Sequence, residues 1–87
     1  MKNVRLDCGP NLKVHDEVIK EWKFFKGLSD LNSGNPFALR PLLEFLLDPA
    51  EQAKLEKHFE EDGKVLTEKI SDAFTELLKK LGEEAKN

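Results

Sequence analysis

The side chains that could carry out chemistry in this 87-residue chain are two histidines, one cysteine and many carboxylates. His58 is followed one helical turn later by Asp62 and is preceded one turn earlier by Lys54. A metal site needs more converging ligands than this spacing supplies. The five glycines are scattered, so the sequence contains neither a phosphate-binding loop nor a calcium loop. We therefore expect no metal, no cofactor and no enzymatic activity.

Cys8 is the only cysteine and cannot form an internal disulfide, which fits a reducing compartment. A pairing with a histidine would make Cys8 a nucleophile, but its place in an alternating stretch favours a small buried side chain. No apolar run approaches the ~20 residues of a membrane span, and the first residues lack the apolar stretch of a signal peptide. We expect a cytoplasmic protein without membrane contact.

An aromatic cluster is the next candidate for binding. Trp22, Phe24 and Phe25 could stack on nucleobases, but no arginine-rich groove accompanies them, and a place in the core is favoured. Residues 1–40 hold seven Lys/Arg and five Asp/Glu, whereas residues 41–87 hold seven and twelve. Nucleic-acid binding usually needs a concentrated basic patch, which this distribution does not supply. We expect no nucleic-acid partner.

Hydrophobic spacing predicts a mainly α fold, a small four-helix domain with a short N-terminal β-hairpin. Apolar residues alternate on both sides of a Gly-Pro-Asn turn within residues 1–15, which is typical of a hairpin; a disordered arm is the alternative. Helical spacing occurs in four segments, near 16–32, 36–47, 48–62 and 67–81. The expected organisation is a single domain, 1–87, with a helical core over 16–82 and a flexible tail over 83–87.

Capping residues predict where the helices begin and end. Asp16, Asp48 and Thr67 are expected N-caps, and Gly63 and Gly82 are expected to end the third and fourth helices. The third helix has few apolar residues and should lie on the outside, whereas the fourth has a one-sided apolar stripe. The side chains expected in the core are Trp22, Leu43, Phe74 and Leu77.

Two prolines interrupt the most apolar stretch of the chain, GNPFALRPLLEFLLD, which covers residues 34–48. Asn35 is expected to cap a turn that begins at Pro36. Proline fits the first turn of a helix and is costly in its interior. We therefore predict a single turn over 36–39, then a bend, and a new helix from Pro41 to Leu47.

The first predicted helix has more apolar surface than one core needs, because its apolar residues cover roughly 240° of its circumference. This surplus predicts contact with a second copy of the chain or with an apolar segment of another protein. Arg40 either contacts such a partner or pairs with Glu44 one turn later, and the sequence favours neither. The candidate partner-binding residues are Phe24, Leu28, Leu31, Phe37, Leu39 and Arg40.

The motifs follow one another in a fixed order over residues 6–82. A strand pair leads to a helix containing WKFF from Trp22, and then to GNPFALRPLLEFLL from Gly34. EQAKLEKHF from Glu51, DGKV from Asp62 and a final amphipathic helix complete the order. This order resembles the tail assembly chaperones of long-tailed phages and prophages of Gram-positive bacteria. The chain departs from the acidic first helix of that family at Lys20, Lys23 and Lys26.

The resemblance implies a non-enzymatic assembly factor that binds the tape-measure protein and helps to recruit tail-tube subunits during tail morphogenesis. It implies a location in the host bacterial cytoplasm, absence from the mature virion and, in many members, a second, longer product made by frameshifting. Two alternatives remain open from the residues alone. One is a small helical homodimer with a structural role, and the other is a small regulatory protein of phage or bacterial origin.

Overall fold

The structure is a computed structural model that describes residues 1–7 and 9–85, with the backbone alone for 83–85. Within these residues the chain forms the antiparallel strands β1 (Lys2–Arg5) and β2 (Asn11–Val14) and then the helices α1 (Trp22–Asn32), α2 (Leu39–Leu46), α3 (Pro49–Phe59) and α4 (Thr67–Ala85). Short 3-10 helices precede α1 and α2. The prediction of a mainly α domain with an N-terminal hairpin is confirmed. Cys8, expected to be buried, lies outside the described residues.

The hairpin is a folded element attached to two helices. Its alternating pattern buries Val4 opposite Leu12 in the pairing register. The backbone N–H of Lys13 donates to the Glu51 carboxylate of α3 over 2.7 Å. The Lys80 ammonium of α4 donates to the carboxylate of Asp7, in the hairpin turn, over 3.2 Å. The alternative of a disordered arm is therefore wrong.

The predicted helix over 16–32 is broken at Glu21. Asp16 to Lys20 form a 3-10 helix whose N-cap position is His15, and Glu21 is extended (φ −82°, ψ 140°) before α1 begins. The prediction of Asp16 as the N-cap is wrong. In one straight helix Ile19 and Phe24 would point about 140° apart. The break lets both side chains pack against the same core.

Trp22 was expected in the core and instead lies at the surface, where its side chain is 67% exposed. Its ring stacks on that of Phe25, with centroids 5.5 Å apart. Phe24 takes the buried place, and Leu28 and Leu31 on the same face of α1 are half-buried. The inward face of α1 thus follows the spacing i, i+4, i+7 from Phe24.

The proline segment forms two consecutive elements. The Asn35 side-chain oxygen accepts the Phe37 N–H over 3.2 Å and caps a 3-10 turn, Pro36–Ala38. Helix α2 follows directly at Leu39, so Pro41 lies in its first turn, where its missing N–H would have no helical partner. The predicted start of this helix at Pro41 is therefore two residues late, and its predicted last residue, Leu47, is extended.

Helix α3 starts after Asp48, as predicted, but ends at Phe59 rather than near residue 62. Asp62 and Gly63 both have positive φ, 52° and 76°, and form a tight turn. Glu61 and Lys64 exchange backbone hydrogen bonds of 2.8 and 2.9 Å across it. Asp-Gly favours this conformation at both central positions of a two-residue turn, so Gly63 belongs to the turn and does not end α3.

Helix α4 continues from Thr67 through Gly82 to Ala85, so Thr67 is its first helical residue and the prediction of Thr67 as the N-cap is wrong. The expected stop at Gly82 is therefore wrong, and the backbone of residues 83–85 is helical. Residues 86–87 of the predicted tail lie outside the described residues.

The core forms where the hairpin, α1, α2, α3 and α4 meet. Leu43, Phe74 and Leu77 are buried as predicted, and α3 contributes only one fully buried residue, Leu55. None of the helices in the described part of the chain is long and apolar enough to cross a membrane. The buried hydrophobic residues are Val4, Leu6, Leu12, Val14, Phe24, Ala38, Leu39, Leu42, Leu43, Leu46, Leu47, Leu55, Ala73, Phe74, Leu77 and Leu81.

Candidate protein-binding surface

A groove of about 660 Å³ lies between the start of α2, the outer face of α3 and the start of α4. We call it the apolar groove. Leu39, Leu43 and Ile70 supply buried or half-buried apolar surface to it, and Phe37 and Val65 are its exposed apolar members. Its lining residues are Pro36, Phe37, Leu39, Arg40, Leu43, Gln52, Glu56, Val65, Thr67 and Ile70.

Phe37 is the most exposed large hydrophobic residue of the described chain, with 84% of its surface accessible. The capped turn Pro36–Ala38 holds its backbone in place, while Ala38 and Leu39 immediately after it are buried. One short segment therefore anchors itself in the core and presents an aromatic ring to solvent. A side chain held this way loses little backbone freedom when it binds a partner.

A second pocket, of about 380 Å³, lies on the other side of Phe37, between α1 and α2. We call it the lysine pocket. Lys23 and Lys26 of α1 line it together with apolar surface from Pro41, Phe45 and Phe37. The complete lining is Lys23, Lys26, Gly27, Asp30, Asn35, Phe37, Ala38, Pro41, Leu42 and Phe45. Phe37 thus stands between two concave surfaces.

The six residues predicted for partner binding divide into three groups. Phe24 and Leu39 are both buried, but Leu39 lines the apolar groove, whereas Phe24 lines neither concave surface. Leu28 and Leu31 are half-buried and pack against the core. Phe37 and Arg40, three residues apart in the chain, are both exposed, and both line the apolar groove.

Arg40 forms an ion pair with Glu44, which was one of the two roles predicted for it from the sequence. Its Nε lies 3.3 Å from Glu44 Oε1 one turn further along α2. The side chain remains 87% exposed at the edge of the apolar groove, and an exposed pair of this kind contributes at most about 1 kcal/mol. The pair therefore leaves the guanidinium accessible from solvent.

Sequence reasoning missed Val65, which comes from the connector between α3 and α4, and favoured the core for Trp22 and Phe25, which are exposed. Val65 has no periodic neighbours that would indicate a binding role. A usable signal was present in Asp62-Gly63, because Asp-Gly predicts a tight turn that brings the residues after it back against α3. The exposure of Trp22 was not predicted because the sequence contains no sign of the helix break after Lys20.

Two ionisable side chains with shifted pKa values lie where the end of the hairpin meets the start of α3. His15 Nε2 lies 2.8 Å from Asp48 Oδ1, and this hydrogen bond, aided by the nearby Glu17 carboxylate, raises the pKa of His15 above its usual 6.5. The backbone N–H of Lys13 and then the Lys54 ammonium lower the pKa of Glu51. Both interactions join the hairpin to the start of α3.

Within the described residues there is no group of three or more His, Cys, Asp or Glu side chains placed to hold a metal ion. In the same part of the chain every buried side-chain nitrogen or oxygen has a hydrogen-bond partner. The residues that line the two concave surfaces offer apolar contact together with charged side chains.

Comparison of the chain with protein-family models, with curated proteins and with solved structures finds no match.

Proposed function

We propose that this protein is a non-enzymatic tail assembly chaperone that binds apolar helical segments of the tape-measure protein. The observation that carries the proposal is Phe37, held exposed at the mouth of an apolar groove. The motif order that resembles this family supplies the identity of the partner. The same resemblance underlies the proposed contact with tail-tube subunits, the bacterial cytoplasm as the place of action and the absence from the mature virion.

The groove suits an amphipathic helix that lays its apolar face against Leu43, Val65 and Ile70. Helix-in-groove recognition uses side chains at i, i+3, i+4 and i+7 of the bound helix, which needs an apolar floor and a polar edge. Gln52, Glu56 and Thr67 form such an edge here. The groove is small, so each contact is weak and reversible.

Weak contacts suit a chaperone that covers the tape-measure protein only during assembly. A long tape-measure helix offers many successive apolar segments, and several copies of a small chaperone can cover them together. Each copy must leave when the tail tube assembles, which weak individual binding permits. The proposed mechanism is therefore the temporary covering of apolar helix surface, with no covalent step.

Co-expression with the tape-measure protein of the same phage or prophage tests the proposal. The wild-type chain should raise the soluble fraction of the tape-measure protein, and Phe37→Ser should lose most of that gain. Because Phe37 is largely exposed, its replacement should change the free energy of unfolding by no more than about 0.5 kcal/mol. Circular dichroism would check that the variant is folded.

Phe25→Ser is the matched control, since Phe25 is another exposed aromatic residue and lines neither concave surface. It should keep the solubilising effect. A wild-type chain that leaves the soluble fraction unchanged would refute the proposed function. Equal losses in the two variants would remove the apolar groove as the binding site.

A second candidate function rests on the stacked Trp22 and Phe25 rings, which give α1 an exposed aromatic face. Such a face suits a homodimer with a structural or regulatory role. Sedimentation equilibrium separates the two candidates. A dimer that Trp22→Ser dissociates, together with no effect on tape-measure solubility, favours the homodimer.

A further inference from the structure

One stripe of α1 forms a charged wall beside apolar surface. Lys23, Lys26, Gly27 and Asp30 are spaced i, i+3, i+4, i+7, and all four line the lysine pocket. The opposite side of the pocket is apolar, with the half-buried Phe45 among its lining residues. A ligand in this pocket would meet ammonium groups along one edge and apolar carbon along the other.

The two lysines of this wall are not engaged in ion pairs, unlike three other cations of the described residues. Arg40, Lys54 and Lys80 each lie 3.2–3.3 Å from a carboxylate oxygen. Within residues 1–7 and 9–82, Lys23 and Lys26 have no carboxylate oxygen within 4.0 Å. Their charges are therefore available to a partner, at the edge of a pocket where apolar contact reduces screening by water.

Asp30 is the carboxylate of the same stripe and lies one turn beyond Lys26, towards the C-terminal end of α1. The wall therefore carries two positive charges at one end and one negative charge at the other. A bound helix gains most when its carboxylates lie near the two lysines and away from Asp30.

We propose that this protein selects amphipathic helices whose apolar face is flanked by Glu or Asp, and that Lys23 and Lys26 form ion pairs with those carboxylates. This inference rests on the proposed function and names the kind of segment that is bound. Phe37 lines both concave surfaces, so the two share this exposed side chain. Apolar residues of the bound helix contact Phe37 and the groove, and its flanking carboxylates pair with the two lysines.

Fluorescence anisotropy with three synthetic peptides tests the selection. The peptides share one leucine face and carry Glu, Gln or Lys at the flanking positions. The wild-type chain should bind the Glu peptide about tenfold more tightly than the Lys peptide, with the Gln peptide between them, because two exposed ion pairs replace two repulsions. The difference should shrink as salt is raised. Asp30→Asn should increase the preference for the Glu peptide.

The double variant Lys23→Glu/Lys26→Glu should reverse the preference. Its matched control is Lys57→Glu/Lys79→Glu, which changes the net charge equally at two exposed lysines outside both concave surfaces. The control should keep the wild-type order of affinities. A reversal in both variants would mean that net charge alone decides, and would overturn the proposal.

The remaining outcomes separate this inference from the proposed function. Equal binding of all three peptides by the wild-type chain would refute charge selection and leave the apolar groove in place. No binding of any peptide would refute both. If sedimentation shows an oligomer that Lys23→Glu/Lys26→Glu dissociates, a second copy occupies the pocket, and the proposal is overturned.

Discussion

Replacing Gly27 by alanine would add a methyl group at a close approach between α1 and α2. A Cβ atom on Gly27 would lie 2.6 Å from Cδ2 and 3.2 Å from Cγ of Leu42. Leu42 is fully buried, so its side chain is surrounded by packed neighbours and has little space to move. The substitution therefore requires the Leu42 side chain or the two helices to shift at the wall of the lysine pocket.

Two opposing effects set the size of the change. Alanine is favoured over glycine inside a helix by about 0.8–1 kcal/mol. Overpacking of a well-packed core costs about 1–3 kcal/mol. The clash involves two atoms of one buried side chain, which places its cost near the middle of that range. We expect Gly27→Ala to lower the free energy of unfolding by about 1 kcal/mol.

A double-mutant cycle isolates the clash. Leu42→Ala removes the clashing atoms and should itself cost about 2–5 kcal/mol. In the Leu42→Ala background, Gly27→Ala should instead raise the free energy of unfolding by about 1 kcal/mol, because the helix preference remains and the clash is gone. The coupling energy between the two positions is then about 2 kcal/mol.

Urea unfolding followed by circular dichroism is the assay, since the exposed Trp22 makes tryptophan fluorescence a weak reporter of folding. Ser29→Ala, at an exposed position of the same helix, controls for helix preference and should change stability by only about 0.5 kcal/mol. If Gly27→Ala stabilises the wild-type background as much as the Leu42→Ala background, the two helices are not in contact here and the lysine pocket has a different shape.

Three further predictions concern the core, the hairpin and the aromatic face. Phe74→Ala should cost about 3–5 kcal/mol in urea unfolding, and a loss below about 1 kcal/mol would mean that α4 packs differently. The raised pKa of His15 contributes stability that is fully present below about pH 6.5 and is lost as the pH rises through that pKa, so the urea midpoint should fall over this range in the wild type but not in His15→Gln. Acrylamide should quench Trp22 in the folded protein almost as well as in urea; strong shielding would place the ring in the core or in an interface.

Local signals were sufficient for several elements. The Gly-Pro-Asn turn between alternating residues predicted the hairpin, and Asn35 before Pro36 predicted a capped turn. The one-sided stripe of the last helix predicted that Phe74 and Leu77 are buried, as they are. Each of these depends on residues within a few positions of one another, and short-range hydrogen bonds and periodicity can be read from such stretches.

The identity of the buried aromatic residue in α1 depended on the break at Glu21. The apolar residues from Val18 onwards suggest one helix, and in one helix Trp22 is a reasonable core residue. The 3-10 helix begins directly after His15, whose N–H donates to the Leu46 carbonyl over 2.8 Å. That contact joins residues distant in sequence, so local periodicity cannot show where the 3-10 helix begins or that α1 buries Phe24 and exposes Trp22.

The candidate site also combines features set by neighbouring residues with features set by contacts between residues distant in sequence. The sequence by itself determined that Phe37 follows a capped, proline-containing turn and that Lys23 and Lys26 share a helix face, because these facts depend on local geometry. Only the tertiary structure decided that Phe37 stands between two concave surfaces and that Val65 and Ile70 complete one of them. The physical reason is that a groove is the space left between packed elements. Its walls come from α2, α3 and α4 together, and side-chain packing among distant residues sets where those walls stand.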